Sequence, residues 1–431
     1  REGDSVYVPK GQILLVDVSP PPLYSVIVEG VIMWEDEKDM TFDAWFIMVR
    51  EGQLKIGSPE KPHMHNLRVT LYGDRESKML PGFGNKAIMI HNGQIDIHGK
   101  PLDTTWTELE LAAVPGDKTI TLVKDVPDWK VGDQIIIAPT GQDMDEVEER
   151  TITSINGKVI GFDEGLEFYH FAGTVNPNDN HLSGGETERV NTIDPPNRDG
   201  AITLRAEVGL LTRNVKIQGD EDTMNTGHGV QIMLRGKEGV ARGRYSYMDV
   251  FRAGQKFQLG RYPIHFHMIG HVVDDYVIGC AVHQTFNRGT TIHGVHYLTL
   301  KDNVYYRTMG HTIFLEDGIE TNNVIENNLV VHVSVSTSML LSDLMPSGLW
   351  QARPTNYIRE NHFVGCAGNG AWFELVHHPT GPSATDSICS ISDHLTQYER
   401  NVHHSNDVGL RIYPHYFPET HPCKANSNHT L

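Results

Sequence analysis

Four segments decide the fold: LKDNVYY (residues 300–306), IENNLVV (325–331), IRENHFVG (358–365) and YERNVHH (398–404). Each sets an apolar residue, two polar residues and an asparagine ahead of a short, mostly apolar run. Between them a second unit recurs, a glycine leading a short strand, as RGTTIH, MGHTIF, SGLWQA, NGAWFE and VGLRIY. These glycines stand at 289, 310, 348, 370 and 409, separated by 21, 38, 22 and 39 residues. Short strands, an asparagine at a fixed corner and a period in the low twenties predict stacked coils with insertions on one side. The fold class that follows is all-β, a right-handed parallel β-helix, each coil resting about 4.8 Å on the last.

Working outward, helical periodicity is nearly absent from the whole chain. Residues 1–100 alternate short apolar runs with Gly and Pro punctuation (VYVPKGQILLVDV, LYSVIVEGVIMW, MTFDAWFIMVREGQLKIG), the pattern of a β-rich domain. A β-rich connecting subdomain spans 101–199 and includes the long polar stretch NPNDNHLSGGETERVNTIDPPNRDG. The repeats occupy 200–420, and 421–431 are a C-terminal tail.

The net charge of −19 at pH 7 argues against nucleic acid as a partner, because phosphate binding needs a basic face. A local basic cluster exists at Arg235, Lys237, Arg242 and Arg244, with Arg252, Lys256 and Arg261 downstream. It reads equally well as a solvated loop. No stretch approaches the ~18 apolar residues of a membrane span. The chain opens REGDSVYVPKGQ with no visible signal peptide, as a mature form or an excised piece would. Cys280 and Cys366 sit in matching apolar contexts and read as buried thiols, whereas Cys389 and Cys423 lie in polar surroundings and are expected to form a disulfide. With the sequon at Asn428, this favours a secreted or cell-surface setting.

GRYPIHFHMIG (260–270) carries the chemistry. Strand alternation turns Ile264, Phe266 and Met268 one way and His265 and His267 the other. Taken alone, that is two solvent-facing histidines. Aligning coils on their glycines puts Thr291 and Thr312 in an outward column with His265, Ile292 and Ile313 inward with Phe266, and His293 beside His267. Glu316 and Asp317 follow in FLEDGIE, with His311 and Glu320 close by, and further coils add Trp350, Trp372, Glu374, His377 and His378. A groove on the outer face is the reading, with Arg261, His311, Trp350, Trp372, Glu374 and His377 as substrate-binding candidates.

The N-terminal run through GQLKIGSPEKP resembles a G8 domain. LRAEVGLLTRNVKIQGD, GRYPIHFHMIG, HQTFNRGTTIHG and MGHTIFLEDGIETNN resemble the group of fibrocystin-like proteins and cell-surface hyaluronidases, in which a G8 domain precedes parallel β-helix repeats. The tail, through GLWQARPTNYIRENHFVGCAGNGAWFELVHHPTGPS to YFPETHPC, resembles the fibrocystin-like branch. One branch of this group is associated with calcium-dependent hyaluronan depolymerisation; the fibrocystin branch comprises large ectodomains. The resemblance therefore implies an extracellular polysaccharide such as hyaluronan as partner, Ca²⁺ as a cofactor, and a place within a larger membrane-anchored ectodomain. Arg261, His265, His267, His293, His311, Glu316 and Asp317 match the shared motifs.

Three chemistries suit this cluster. Glycoside hydrolysis takes Glu316 as acid and a histidine as base; Asp317, adjacent on the strand, would face the other way and serve equally as a turn residue binding at Gly318. A zinc-like ion suits His265, His267 and His293, while calcium would seek oxygen-rich loops such as GDEDTMN (219–225) or DMDEVEE (143–149). A polysaccharide lyase would lean on Arg261 or Arg288. Against all of these stands a non-catalytic module binding glycan or protein through Trp350 or Trp372.

Overall fold

The computed structural model describes residues 1–175, 202–337, 340–420 and 423. The expected polar stretch at 176–200 and the sequon at Asn428 lie outside them, as does most of the 421–431 tail. Among the described residues the architecture is a right-handed parallel β-helix. Three parallel ladders run its length. One is a ten-stranded sheet from Ile13–Val16 to Gln397–Glu399. The other two join around a shallow corner into a nineteen-stranded sheet, because the strand Met40–Arg50 pairs with Leu67–Leu71 through its first half and Ala87–His91 through its second.

The parallel stack begins at Ser5 rather than near residue 200. Ser5–Val8, Leu23–Val28 and Met40–Arg50 are its first rungs, and Gln94–His98 pairs directly with Arg242–Ser246. After Gln94–His98 the chain leaves the stack, and the strands from Trp106–Glu108 to Glu207–Leu210 include a six-stranded sheet of antiparallel pairs around Leu109, Trp129, Ile135, Ile152, Phe162 and Val208. Val215–Gly219 and Gln231–Arg235 then rejoin the parallel rungs. This insertion docks through Ile136, Ala138, Val147 and Leu211 on Val304, Tyr306, Leu329, Val331 and Val364.

The recurring asparagine has a physical role at the corner. Asn303 Nδ2 donates to Asn328 Oδ1 (2.8 Å), Asn328 to Asn361 (2.8 Å) and Asn361 to Asn401 (3.0 Å). Each Oδ1 also accepts the backbone N–H of the preceding ladder residue. A buried amide without partners costs about 1–3 kcal/mol, so only a repeated residue at one register satisfies every rung. The residue before each, Asp302, Asn327, Glu360 and Arg400, turns the chain with φ between 51° and 59°. Cys280 occupies the same register one coil earlier, its N–H donating to Asn303 Oδ1, and Cys280 and Cys366 are both buried thiols.

Inward columns fill the core. Ile232, Ile264, Thr290, Ile313, Leu349 and Ala371 stack in one, and Leu234, Phe266, Ile292 and Leu315 in the next, all at most 1% exposed. Full burial of such an aliphatic or aromatic side chain contributes about 1.5–3 kcal/mol. The register differs from the glycine alignment by two residues: Gly289 meets Thr312, not Gly310, so Thr291 pairs with Phe314 rather than Thr312. MGHTIFL carries an extra Gly–His step before its strand. A two-residue slip preserves which face each side chain takes, and it brings Glu316, not Phe314, alongside His293: the Glu316 N–H donates to the Ile292 carbonyl.

Candidate active site

The site lies on the outer face of the strands Ile264–His271, Thr290–His296 and Ile313–Leu315. Pairing of His265 with Thr291 and His267 with His293 sets two outward columns. The first runs Met233, His265, Thr291, Phe314, Trp350, Trp372, Arg411; the second runs His91, Arg235, His267, His293 and on to Glu316. A bulge breaks the strand pairing immediately after His267 and His293, and it resumes at Gly270 and Val295. Met268 (φ 52°) and Gly294 (φ 59°) both turn left-handed, and a Cβ on Gly294 would stand 2.6 Å from Met268 Sδ. That close approach and the left-handed backbone favour glycine there.

The three imidazoles converge. Ring centroids of His265, His267 and His293 lie 5.0, 4.8 and 6.0 Å apart, with His265 and His293 parallel. His265 Nδ1 donates to the Gly260 carbonyl (3.0 Å), which fixes its tautomer and leaves Nε2 a bare lone pair, buried and without a partner. His267 Nδ1 and His293 Nδ1 face each other at 3.2 Å and share a proton. Burial drives His265 well below the usual imidazole range. Burial, then the charges of His293 and Arg235, push His267 down to about 4, so both are neutral at pH 7.

His293 sits between two carboxylates, its Nε2 2.8 Å from Asp317 Oδ2 and its Nδ1 3.3 Å from Glu316 Oε2. Burial opposes its charge, but the hydrogen bond to Asp317 and the nearby carboxylates outweigh burial and raise its pKa. The same three groups split the carboxylates. Glu316 is raised, by burial first, against the pull of His293 and Arg288. Asp317 is lowered despite burial, by hydrogen bonds from His293 and Ser383.

Asp317 thus does not face away from Glu316. The strand stops at Leu315, so strict alternation no longer applies and both carboxylates reach one ring. Nor does Asp317 serve Gly318: Glu320 accepts the N–H groups of Gly318, Asp317 and Gly294 (2.8, 3.1 and 2.8 Å). Asp317 instead anchors the segment Gly381–Ser383, accepting from the Ser383 N–H.

Other sequence candidates fall elsewhere. His311 is fully buried and stacked on Phe314, so it presents nothing to a substrate. Trp350 (8% exposed) and Trp372 (4%) pack with Phe314 and Ala352 rather than forming an open sugar platform. Glu374 accepts from Trp350 Nε1 (2.9 Å). His377 is exposed and outside the cluster, and His378 Nδ1 donates to the Ile388 carbonyl. Arg261 is half-buried beside Gly84 and donates to the Gly82 carbonyl (3.3 Å). Arg288 is sealed beneath the face, against Asp343 (3.2 Å) and over the Phe314 ring. The joined Cys389–Cys423 pair agrees with the sequence expectation.

Residues 1–110 match the G8 domain and residues 227–410 match the CEMIP beta-helix. The chain is 36% identical to mouse fibrocystin-L and 35% identical to the human protein, in each case over 99% of its own length. The chain belongs to the G8-domain, parallel β-helix family. A G8 domain-containing protein of Dictyostelium discoideum is 28% identical over 95% of the chain. The chain spans about a tenth of the fibrocystin-L proteins (10% and 11%) and 28% of the Dictyostelium one. Among solved structures, the Pseudomonas phage phi297 tailspike gp61 aligns over 85% of the chain and 57% of its own at 11% identity and TM-score 0.20. That likeness is too slight to bear on function.

Sequence reasoning missed several residues that shape this G8 β-helix site. Asp343 sits on the short segment Leu341–Leu344 between two strands, yet it buries against Arg288 and accepts the Leu340 N–H. Arg235 was read only as part of a basic loop, but it pairs with His267 in the outer column. The column itself, countable once the coils are aligned, was the signal available for it.

Proposed function

We propose that this chain is an extracellular, glycan-active protein that hydrolyses a hyaluronan-like polysaccharide on the outer face of its β-helix. One observation carries the reading: two adjacent carboxylates flank one imidazole and are pushed in opposite directions, Glu316 up and Asp317 down. Groups whose environments drive their pKa values apart are the usual arrangement of an acid and its ionised partner. Protonated Glu316 donates to the leaving glycosidic oxygen. Asp317 stays ionised and holds His293 as the imidazolium that balances its charge. A neutral imidazole of the cluster with a free lone pair, as His265 has at Nε2, accepts the proton of the attacking water. Arg235 and Arg261, half-buried at the same end of the cluster, give a locally positive face for sugar carboxylates despite the net charge of −19.

The donor set tests which ion the site would hold. Three imidazoles, one with an orphaned lone pair, suit a zinc-class ion at His265, His267 and His293, whose ligand atoms lie within 4.8 Å of one another. Such an ion would polarise a bound water or sugar oxygen. Imidazoles do not suit calcium. In the acidic loops, Asp220 is taken by Lys86 and Thr223, Glu148 by Arg150 and His170, and Asp145 by His332.

The lyase alternative loses Arg288, whose guanidinium is closed in by Asp343, Tyr262 and Phe314. The disulfide and the likeness to fibrocystin-L support a cell-surface or secreted setting, the chain being one stretch of a larger ectodomain. Mass spectrometry of products from a panel of glycosaminoglycans and neutral glycans tests the reading. Saturated oligosaccharides from a uronic-acid polymer are expected; unsaturated ends would mean a lyase, and binding without cleavage a non-catalytic module.

A further inference from the structure

A second cluster of histidines and carboxylates lies at the seam between the insertion and the β-helix. The strands Trp106–Glu108 and Glu207–Leu210 of the insertion pair so that Glu108 stands directly opposite Glu207. Facing them from the β-helix are His362, on His362–Cys366, and His404, on the neighbouring strand Val402–His404. Glu207 is fully buried. Its Oε1 lies 2.5 Å from His362 Nδ1, and its two oxygens lie 3.2 and 3.1 Å from His404 Nε2. Glu108, Glu207 and His362 each offer a ligand atom within 4.8 Å of the others. The Trp106 ring packs on His362 (4.7 Å between centroids), and its Nε1 donates to the Asn327 carbonyl (2.9 Å), which holds the imidazole in place.

Two carboxylates directly opposite each other on paired strands repel, and burial strengthens that repulsion. His362 and His404 answer Glu207. With their protons displaced, the two imidazoles offer neutral nitrogens, and one divalent cation would then balance the two carboxylates. The four donors come as two nitrogens and two oxygens, a set that zinc and its neighbours accept in tetrahedral geometry. Donor atoms around such an ion stand about 3.3–3.6 Å apart, given bonds of roughly 2.0–2.2 Å. His362 and His404 are 12% and 10% exposed at the side chain, so an ion has a way in.

We propose that Glu108, Glu207, His362 and His404 form a zinc-class metal site that staples the antiparallel insertion to the last coils of the β-helix. The site is structural: it is separate from the outer-face cluster and independent of the glycan reading. Two ligands come from each body, so loading it ties together segments far apart in sequence, and metal binding becomes stability of the seam.

The test uses the whole chain, stripped with chelator and reloaded with Zn²⁺ alone. In the His267→Ala protein, whose outer-face cluster is broken, elemental analysis after desalting should find one zinc, which is lost, with at least tenfold weaker binding, when Glu108→Gln or His404→Ala is added. Co²⁺ in place of zinc should give the intense visible bands of a tetrahedral site in the His267→Ala protein and not when Glu108→Gln is added to it. Zinc should raise Tm of His267→Ala and leave that double variant unmoved. Glu207→Gln removes the most buried ligand and can fail to fold; Glu108→Gln, at the rim, then decides. Zinc content of His267→Ala unchanged by adding Glu108→Gln, or no zinc retained by His267→Ala, overturns the assignment and leaves the seam an ion-pair network.

Discussion

Two clusters built from the same residue types behave differently, and the difference is one of placement. On the outer face, His265, His267 and His293 leave a buried lone pair unpartnered at His265 Nε2. At the seam, the fully buried Glu207 carboxylate is met by both His362 and His404. The outer cluster is spread over the outer face of one sheet, its residues supplied by neighbouring rungs. The seam cluster joins two bodies, and its groups face each other from opposite sides. Electrostatics follow: Glu316 is raised by burial, whereas Glu207 is lowered because His404 and His362 overcome a complete loss of solvent. Unpartnered groups beside a surface are held ready for a ligand; partnered groups inside hold a structure together.

The sharpest way to break this contrast is to remove one buried side chain from each cluster. Glu207→Ala leaves two histidines facing a void at the seam and should cost about 3–5 kcal/mol in urea unfolding, the usual penalty for breaking a buried pair. His265→Ala, which removes a group with an unpartnered nitrogen, should cost clearly less. Equal losses would mean that the outer cluster is as structural as the seam.

A ladder substitution separates both clusters from general loosening of the coils. Asn328→Ala removes the acceptor for Asn303 Nδ2 and for the Asn303 N–H. It should cost about 1–3 kcal/mol while leaving cleavage per folded molecule unchanged. A parallel loss of cleavage would show that the groove depends on coil register more than on its own residues.

The smallest effect is on pH dependence. Cleavage requires Glu316 protonated and His265 and His267 neutral. The rate should fall on the acid side as His267 gains a proton near about 4, and on the alkaline side as Glu316 loses one above the ordinary Glu range. Stability has its own sign. A carboxyl whose folded pKa is raised carries a penalty that is absent below its unfolded pKa and complete above its folded one. Glu316→Gln should therefore melt slightly higher than the parent at pH 7, and this advantage should vanish as the pH falls below about 4.5. A rate optimum above neutrality would remove Glu316 from the acid role.

Much of this was legible in the sequence, for reasons that are physical. Asn303, Asn328, Asn361 and Asn401 recur because a buried amide must find another amide at the same register, so they announce the coil. His265, His267 and His293 could be set on one face because strand alternation is strict within a strand. The reading failed where strands end. Asp317 lies past Leu315, beyond the reach of alternation, and Gly310 lies two residues short of the corner that Gly289 marks. Outward was also mistaken for exposed: Trp350, Trp372 and His311 point away from the core and are covered by one another. The seam was beyond sequence reasoning altogether, because Glu207 and His404 meet only when the insertion folds back across the coils.

The central claim is that Glu316 is the acid of a glycan-cleaving site, and one measurement reaches it directly. Turnover of Glu316→Gln should be compared with the parent protein on whichever uronic-acid polymer the parent cleaves, at the parent's pH optimum, with unfolding followed in the same samples. The account predicts a loss of at least ~100-fold, the usual contribution of a positioned acid, in a protein that melts no lower than the parent. A Glu316→Gln protein that folds and cleaves at the parent's rate would contradict it.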